Sequence, residues 1–208
     1  IHERLEKTGY INMGYGDTSS RILNHLANIC EFPVNVVSLT GGVNYYLPNT
    51  RSSIFNAKLY LTPAPLLMAS EDIVKAMEQE PSVKQIRHMA TLAQMSIVGI
   101  GGVDSNATLL TNGTLNHSDV LLLSMQGAVG DMLCHFIDKD GNVIQSSLER
   151  RLMSTPLEQL KEMSNSIGVA GGSTKSEAIL AALKGNYLDV LITDETTATN
   201  VLRLKNQE

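Results

Sequence analysis

The 208 residues suffice for one sizeable core, and 43% hydrophobic content with six prolines describes an ordinary globular chain, excluding a fibre or a disordered tail. Sixteen Lys and Arg against 21 Asp and Glu leave a net charge of −5 with no basic stripe, which opposes non-specific attraction to nucleic-acid phosphates. No apolar run approaches the roughly 18 residues of a membrane span, and Cys30 and Cys134 have neither disulfide-framework nor zinc spacing, so a reducing, cytoplasmic setting without membrane or metal is expected.

In chain order, apolar strand-like runs alternate with amphipathic helical runs, the pattern of an α/β fold with a mostly parallel sheet. Strands are expected at Tyr10 to Met13, Val34 to Leu39, Lys58 to Thr62, Ser96 to Ile100, Val120 to Ser124, Ile167 to Ala170 and Val190 to Thr193. A first helix is expected after Gly14-Tyr-Gly-Asp-Thr-Ser-Ser20, where Arg21, Ile22, Leu23 and Leu26 begin a helical period. Ser82-Val-Lys-Gln85, Thr155-Pro-Leu-Glu158 and Thr174-Lys-Ser-Glu177 each fit a capping box, and Gly185 is placed to stop the helix that the third one starts. The Asp-Gly step in Asp138-Lys-Asp-Gly-Asn142 predicts a hairpin between Cys134 to Ile137 and Val143 to Ser146. Asn106-Ala-Thr108, Asn112-Gly-Thr114 and Asn116-His-Ser118 have the form of glycosylation acceptors, and the unpaired cysteines argue that they are incidental.

Four strand-like runs end in glycine: Ile11 to Gly16, Val36 to Gly42, Ile97 to Gly102 and Ile167 to Gly172. In a parallel sheet those ends share the edge at which ligands bind, and glycine lets a backbone approach a guest closely. A single glycine pair does no more than turn the chain; the recurrence favours a site. At the first corner, free amides of a helix start and the hydroxyls of Thr18 and Ser19 suit a phosphate dianion. Asp17 would repel one, so it is either a helix cap or faces a sugar hydroxyl. On the residues alone, a phosphate site and a plain N-cap cluster are equally good readings there.

Residues 168 to 176, GVAGGSTKS, resemble a nucleotide-binding P-loop only in Lys175-Ser176. Thr174 stands where the glycine before the lysine belongs, so NTP hydrolysis is not expected. Lys175 at a helix start opposes the helix dipole, which favours an anionic partner over a merely solvated lysine. Asp131, among apolar residues in Gln126-Gly-Ala-Val-Gly-Asp-Met-Leu133, either accepts hydrogen bonds from sugar hydroxyls or caps a buried segment. No histidine pair, Ser-His-Asp set or Gly-x-Ser-x-Gly supplies metal or nucleophilic chemistry.

Together, GYGDTSS, TGGV, TPAPLLMAS, GAVGDMLCHFIDKDGNVI, GVAGGSTKSEAILAALKGNY and LITDETTATNVL, in that order, resemble the effector-binding domain of SorC-type sugar-responsive bacterial transcriptional regulators, in the branch that governs the lsr operon through autoinducer-2 phosphate. The resemblance covers most of the chain. It implies a three-layer, Rossmann-like α/β fold related to glucosamine-phosphate deaminase, ribose-phosphate isomerase and CoA transferases, spanning 1–208 as one effector-binding and oligomerisation domain. It further implies a phosphorylated sugar or related effector, assembly as a homodimer or tetramer, no cofactor, and contact with operator DNA only through an N-terminal helix-turn-helix module. A start at Ile1 fits a fragment lacking that module. By position, the resemblance places Gly16, Thr18 and Ser19 in a first phosphate loop, Thr40 and Gly41 in a second, Lys175 on the phosphate, and Asp131, with Asp17, on effector hydroxyls. Thr40 and Ile54 replace polar side chains of related glycolytic regulators, which argues against a bisphosphate. Two rivals remain: a sugar-phosphate isomerase or deaminase on the same fold, for which a DGADE-like run is missing, and an oligomerisation module with a vestigial site.

Overall fold

Strands that are apolar along their whole length must be covered on both faces, and this chain meets that requirement with a parallel sheet between helical layers. The computed structural model describes residues 5–42, 56–104 and 107–207. Along the chain, β1 (Tyr10–Met13) leads to α1 (Asp17–Ile29), β2 (Val34–Ser38), β3 (Ala57–Tyr60), α2 (Glu71–Gln79), α3 (Pro81–Thr91) and β4 (Met95–Gly102). Next come α4 (Thr108–Thr111), α5 (His117–Met125), β5 (Ala128–Met132), β6 (His135–Asp138), α6 (Leu157–Glu162), β7 (Ser166–Val169), α7 (Ser176–Lys184), β8 (Val190–Ile192) and α8 (Glu195–Lys205).

The strands pair in parallel in the order β3-β2-β1-β4-β7-β8. Only the first part of β4 belongs to that sheet; its end, Ile100–Gly102, pairs antiparallel with β5, which pairs antiparallel with β6. Alternation divides the core. Ile11, Met13, Val36 and Ile97 pack with Leu23 and Leu26 of α1. Val37, Val98 and Ile100 face the other way, toward Ala90 of α3, Leu157 and Leu160 of α6, and Ala178 to Ala182 of α7. The expected three-layer, mostly parallel α/β architecture is what forms.

Several local expectations do not hold. Val120 to Ser124 is not a strand: it lies inside α5, whose start is set by a capping box in which Asn116 and Asp119 exchange side-chain and backbone hydrogen bonds. A leucine run has good helix propensity, and only Val120 in it is β-branched, so the cap decides. The box at Ser82 is absent because α3 begins one residue earlier, on Pro81, with Glu80 as N-cap. At Thr155 the hydroxyl is taken by the layer beneath, donating to the Leu39 carbonyl at 2.8 Å, and α6 starts at Leu157 with no side-chain cap. The third box is replaced by a 3-10 turn, Ser173–Lys175, from which α7 continues. The hairpin partner of β6 is β5 rather than residues 143 to 146, which contribute one isolated bridge, Ile137 to Val143. Ile54 and Asn106 lie outside the described residues.

Candidate ligand site

From β1 the chain winds outward through β2 to β3, whereas the next parallel neighbour of β1 on the other side is β4, so the winding direction reverses between β1 and β4. At such a reversal the following loops diverge and leave a crevice at the carboxyl ends of the strands. A cavity of about 170 Å³ opens there, walled by residues 15–19 after β1, by 99–101 of β4, by Leu109, by Asp131 and Leu133, and by Lys175. Gly16, Asp17, Thr18, Ser19, Asp131 and Lys175 are thus brought together from three distant parts of the chain.

The first wall is a helix N-terminus made open by glycine. Gly16 is the N-cap of α1 at φ 128°, a conformation that side chains rarely adopt, and it offers no capping group. The first-turn amides of Asp17, Thr18 and Ser19 therefore have no intrahelical acceptor and carry the positive end of the dipole, worth about 0.3–1 kcal/mol toward an anion. Ser19 is 2% exposed, lines the cavity, and its hydroxyl has no hydrogen-bond partner. Buried hydroxyls are nearly always paired, so one left open against a cavity marks a place where a guest would sit. Asp17 resolves differently: its carboxylate takes the Arg21 guanidinium at 2.9 Å along the exposed helix surface. The N-cap is Gly16, so Asp17 is not the helix cap; it also lines the cavity, and a surface pair of this kind contributes little to stability.

Across the cavity, Lys175 ends the 3-10 turn and donates from Nζ to the Ile100 carbonyl at 3.0 Å. Gly172, at φ 110°, redirects the chain before it, and its amide is held by Asp194 and Thr197 at the start of α8. Asp131, on β5 opposite Gly101, accepts the Cys134 amide on Oδ2 at 3.2 Å. Burial pushes its carboxyl up to about 6, against the opposing pull of that amide, of Lys175 and of His135. The turn that supplies the amide holds both Leu133 (φ 51°) and Cys134 (φ 69°) in the left-handed region, fixed further by the Ser154 hydroxyl donating to the Leu133 carbonyl at 2.7 Å. His135 follows, with Nδ1 at 2.7 Å from Glu149 and Nε2 at 3.0 Å from the Thr155 carbonyl.

Thr40 and Gly41 are not brought into this cavity. The Gly41 amide donates to Met153 at 2.7 Å, the Thr40 hydroxyl donates to the Gly41 carbonyl at 3.0 Å, and Thr40 bridges Ser154. A Cβ at Gly41 would overlap the Pro65 carbonyl, so the glycine there permits the close approach of 64–65. Leu109 and Leu133, which give the cavity its apolar wall, had no sequence signal: one is an ordinary helix leucine and the other reaches the site through a left-handed turn that its residue type disfavours. Among the described residues, no group of three or more His, Cys, Asp or Glu could hold a metal ion, and no helix is long and apolar enough to cross a membrane.

The chain matches the family described as "Putative sugar-binding domain" over residues 1–203. It belongs to that family. Among its curated relatives are proteins named transcriptional regulator LsrR, from Klebsiella pneumoniae at 35% identity over 204 residues and from Escherichia coli K12 at 34% over 203. Each alignment covers 96% of this chain, which spans only 63% and 64% of the relatives' lengths. In fold it is similar to a DeoR family transcriptional regulator from Listeria monocytogenes (TM-score 0.84, 21% identity, 96% of this chain and 81% of that one). It is also similar to the full-length sorbitol operon regulator SorC from Klebsiella pneumoniae (TM-score 0.77, 23% identity, 96% and 67%). The SorC-type resemblance carried by the sequence motifs is borne out, and with it the sugar-binding class of the domain.

Proposed function

We propose that this sugar-binding domain is the sensing part of a transcriptional regulator and that its cavity holds a phosphorylated sugar or a close analogue. The observation that carries this reading is the unpartnered, buried Ser19 hydroxyl in a cavity whose other polar walls are a helix N-terminus, the Lys175 ammonium and the Asp131 carboxyl. A phosphoryl group would rest on the 17–19 amides, the hydroxyls of Thr18 and Ser19, and Lys175; sugar hydroxyls would donate to Asp131. The names borne by the relatives support the regulatory role; operator contact through an N-terminal helix-turn-helix module, a cytoplasmic setting and assembly as a homodimer or tetramer belong to the same proposal. A coupling of about 1–3 kcal/mol between the cavity and the DNA-binding part is enough for control.

Thermal denaturation against ribose 5-phosphate, glucose 6-phosphate, fructose 6-phosphate and their unphosphorylated sugars tests the reading. A ligand at 100 times its Kd adds about 2.7 kcal/mol, or roughly 5–10 °C for a domain of this size. Shifts confined to phosphorylated members are expected; equal shifts from the free sugars would remove the phosphate from the proposal. No member of the panel should be converted, and turnover abolished by Asp131→Asn would replace the sensor by an isomerase. Ser19→Ala is expected to leave ligand-free stability unchanged or slightly higher, since the lost hydroxyl is unpaired, and to weaken the phosphosugar about fivefold to tenfold in calorimetry. Loss of stability without loss of affinity would mean that Ser19 only fills space.

A further inference from the structure

Asp131 must be aimed before it can meet a ligand, and its cross-strand neighbour sets the aim. Gly101 and Asp131 are directly opposed in the β4–β5 pairing, so a side chain at 101 would leave the same face of the sheet as the carboxyl. That space is occupied by the carboxyl itself. A Cβ placed on Gly101 would overlap Asp131 Oδ1 and stand 2.9 Å from its Cγ and 3.5 Å from Oδ2, so its three nearest neighbours all belong to one carboxyl group. Gly101 is not among the glycines of positive φ, so its backbone suits an L side chain such as alanine, and the nearest obstacle to a Cβ is the carboxyl. The adjacent glycine of β5 is different: a Cβ on Gly130 would run into Ala178 of α7 and the Gly101 carbonyl, which is a matter of layer packing.

We propose that Gly101 is a positioning residue of the ligand site, whose missing side chain seats the Asp131 carboxyl flat across β4, beside the Ile100 carbonyl on which Lys175 rests. The seat leaves Oδ2 on the Cys134 amide and brings the carboxyl against the strand end that the ligand would approach. A side chain at 101 lifts the carboxyl off β4, breaks the Cys134 contact and separates the acid from the lysine. The consequence for binding rests on the functional reading above; the seat itself does not.

A double-mutant cycle without ligand tests the seat, because it asks which group a Cβ at 101 meets. Gly101→Ala alone is expected to lower the Tm by roughly 3–6 °C, and in an Asp131→Ala background to be neutral or stabilising, as Gly→Ala normally is where the backbone permits it. Gly102→Ala is the control: its Cβ would meet Asp104 Oδ2 at 3.5 Å, an ordinary contact, and the change should be tolerated in both backgrounds. Should Gly101→Ala fail to fold, recovery in the double variant supports the seat, and failure of both overturns it, as does an equal Tm loss in both backgrounds. In the folded single variant the shift given by glucose 6-phosphate or ribose 5-phosphate should fall with at least tenfold weaker binding; wild-type affinity would overturn the positioning role. If the wild-type protein responds to no phosphosugar, the functional reading falls, and the ligand-free cycle still decides the seat.

Discussion

Lys175→Ala is expected to weaken phosphosugar binding at least tenfold and to leave affinity for the unphosphorylated sugar unchanged. The ammonium lies at the mouth of a cavity opposite a helix N-terminus, and its present partner is a neutral carbonyl, the Ile100 oxygen at 3.0 Å. Two of its three protons thus remain available to a phosphoryl group. A charge-assisted hydrogen bond contributes about 1.5–3 kcal/mol, which is a factor of ten or more in Kd. The backbone of the turn should survive the change. The 3-10 turn is closed by the Lys175 amide on the Gly172 carbonyl and by the Ser176 hydroxyl on the Ser173 carbonyl, both of which an alanine at 175 preserves. Losing the charge-assisted Ile100 contact costs about 1.5–3 kcal/mol, reduced where water replaces the ammonium, and removing a cation from the start of α7 returns about 0.3–1 kcal/mol of dipole energy. Isothermal titration of the variant with glucose 6-phosphate, ribose 5-phosphate and the free sugars measures both sides; a phosphosugar Kd within twofold of wild type would take the lysine out of the site.

For Asp131→Asn the expected result has two opposite signs, weaker binding and higher stability. Burial holds the carboxyl at about 6, above the ordinary range near 3.9, so the folded state binds its proton more tightly than the unfolded state does. The linkage follows from that inequality: the group's stabilising contribution is complete below about pH 4 and is lost as pH rises through about 6. At pH 8 the wild-type protein carries a half-buried, partly desolvated carboxylate at a cost that the amide variant does not bear. Because the side chain faces a cavity, the gain is set at about 1–2 kcal/mol, or roughly 3–6 °C in Tm, shrinking toward zero by pH 4. Asparagine still offers Oδ1 to the Cys134 amide, so the turn survives. Toward a sugar hydroxyl it is a neutral acceptor in place of a charged one, a loss of about tenfold in affinity. Denaturation of the ligand-free protein across pH 4–8 checks the first sign, and titration at pH 8 the second. A variant less stable than wild type at pH 8 would show that the carboxylate is a structural ligand of its turn, and that its seat in the cavity is incidental.

Such opposite signs are what the proposed site predicts: a half-buried acid, an unpaired hydroxyl and uncapped helix amides each cost stability, and the proposed ligand would satisfy each of them.

Much of this was legible along the chain, for definable reasons. The central strands from Tyr10, Val34, Ser96 and Ile167 announce themselves because a strand covered on both faces must be largely apolar along its length, and that is a local property. The edge strands near Lys58 and from Val190 share the pattern without a buried residue. Gly16 before Asp-Thr-Ser and Gly172 before Ser-Thr-Lys mark turns that only glycine makes cheaply, so the corners of the cavity could be read one at a time. Where a residue's partner lies far away, the sequence carried no such mark. The hydroxyl of Thr155 could cap a helix or reach Leu39, 116 residues distant, and only packing chose the second. Thr40-Gly41 reads like the other glycine corners, yet its amide is taken by Met153, across a gap no local pattern spans. Composition, period and turn chemistry by themselves indicated a mostly parallel α/β sheet with glycine corners at its ligand edge and left a phosphate site and a plain N-cap cluster as equal readings; the three layers and the site assignments came with the family resemblance. The tertiary structure alone decided which residues meet, because the reversal between β1 and β4, the departure of β4 into a second pairing, and the seat of Asp131 on Gly101 are contacts between residues that share no sequence neighbourhood.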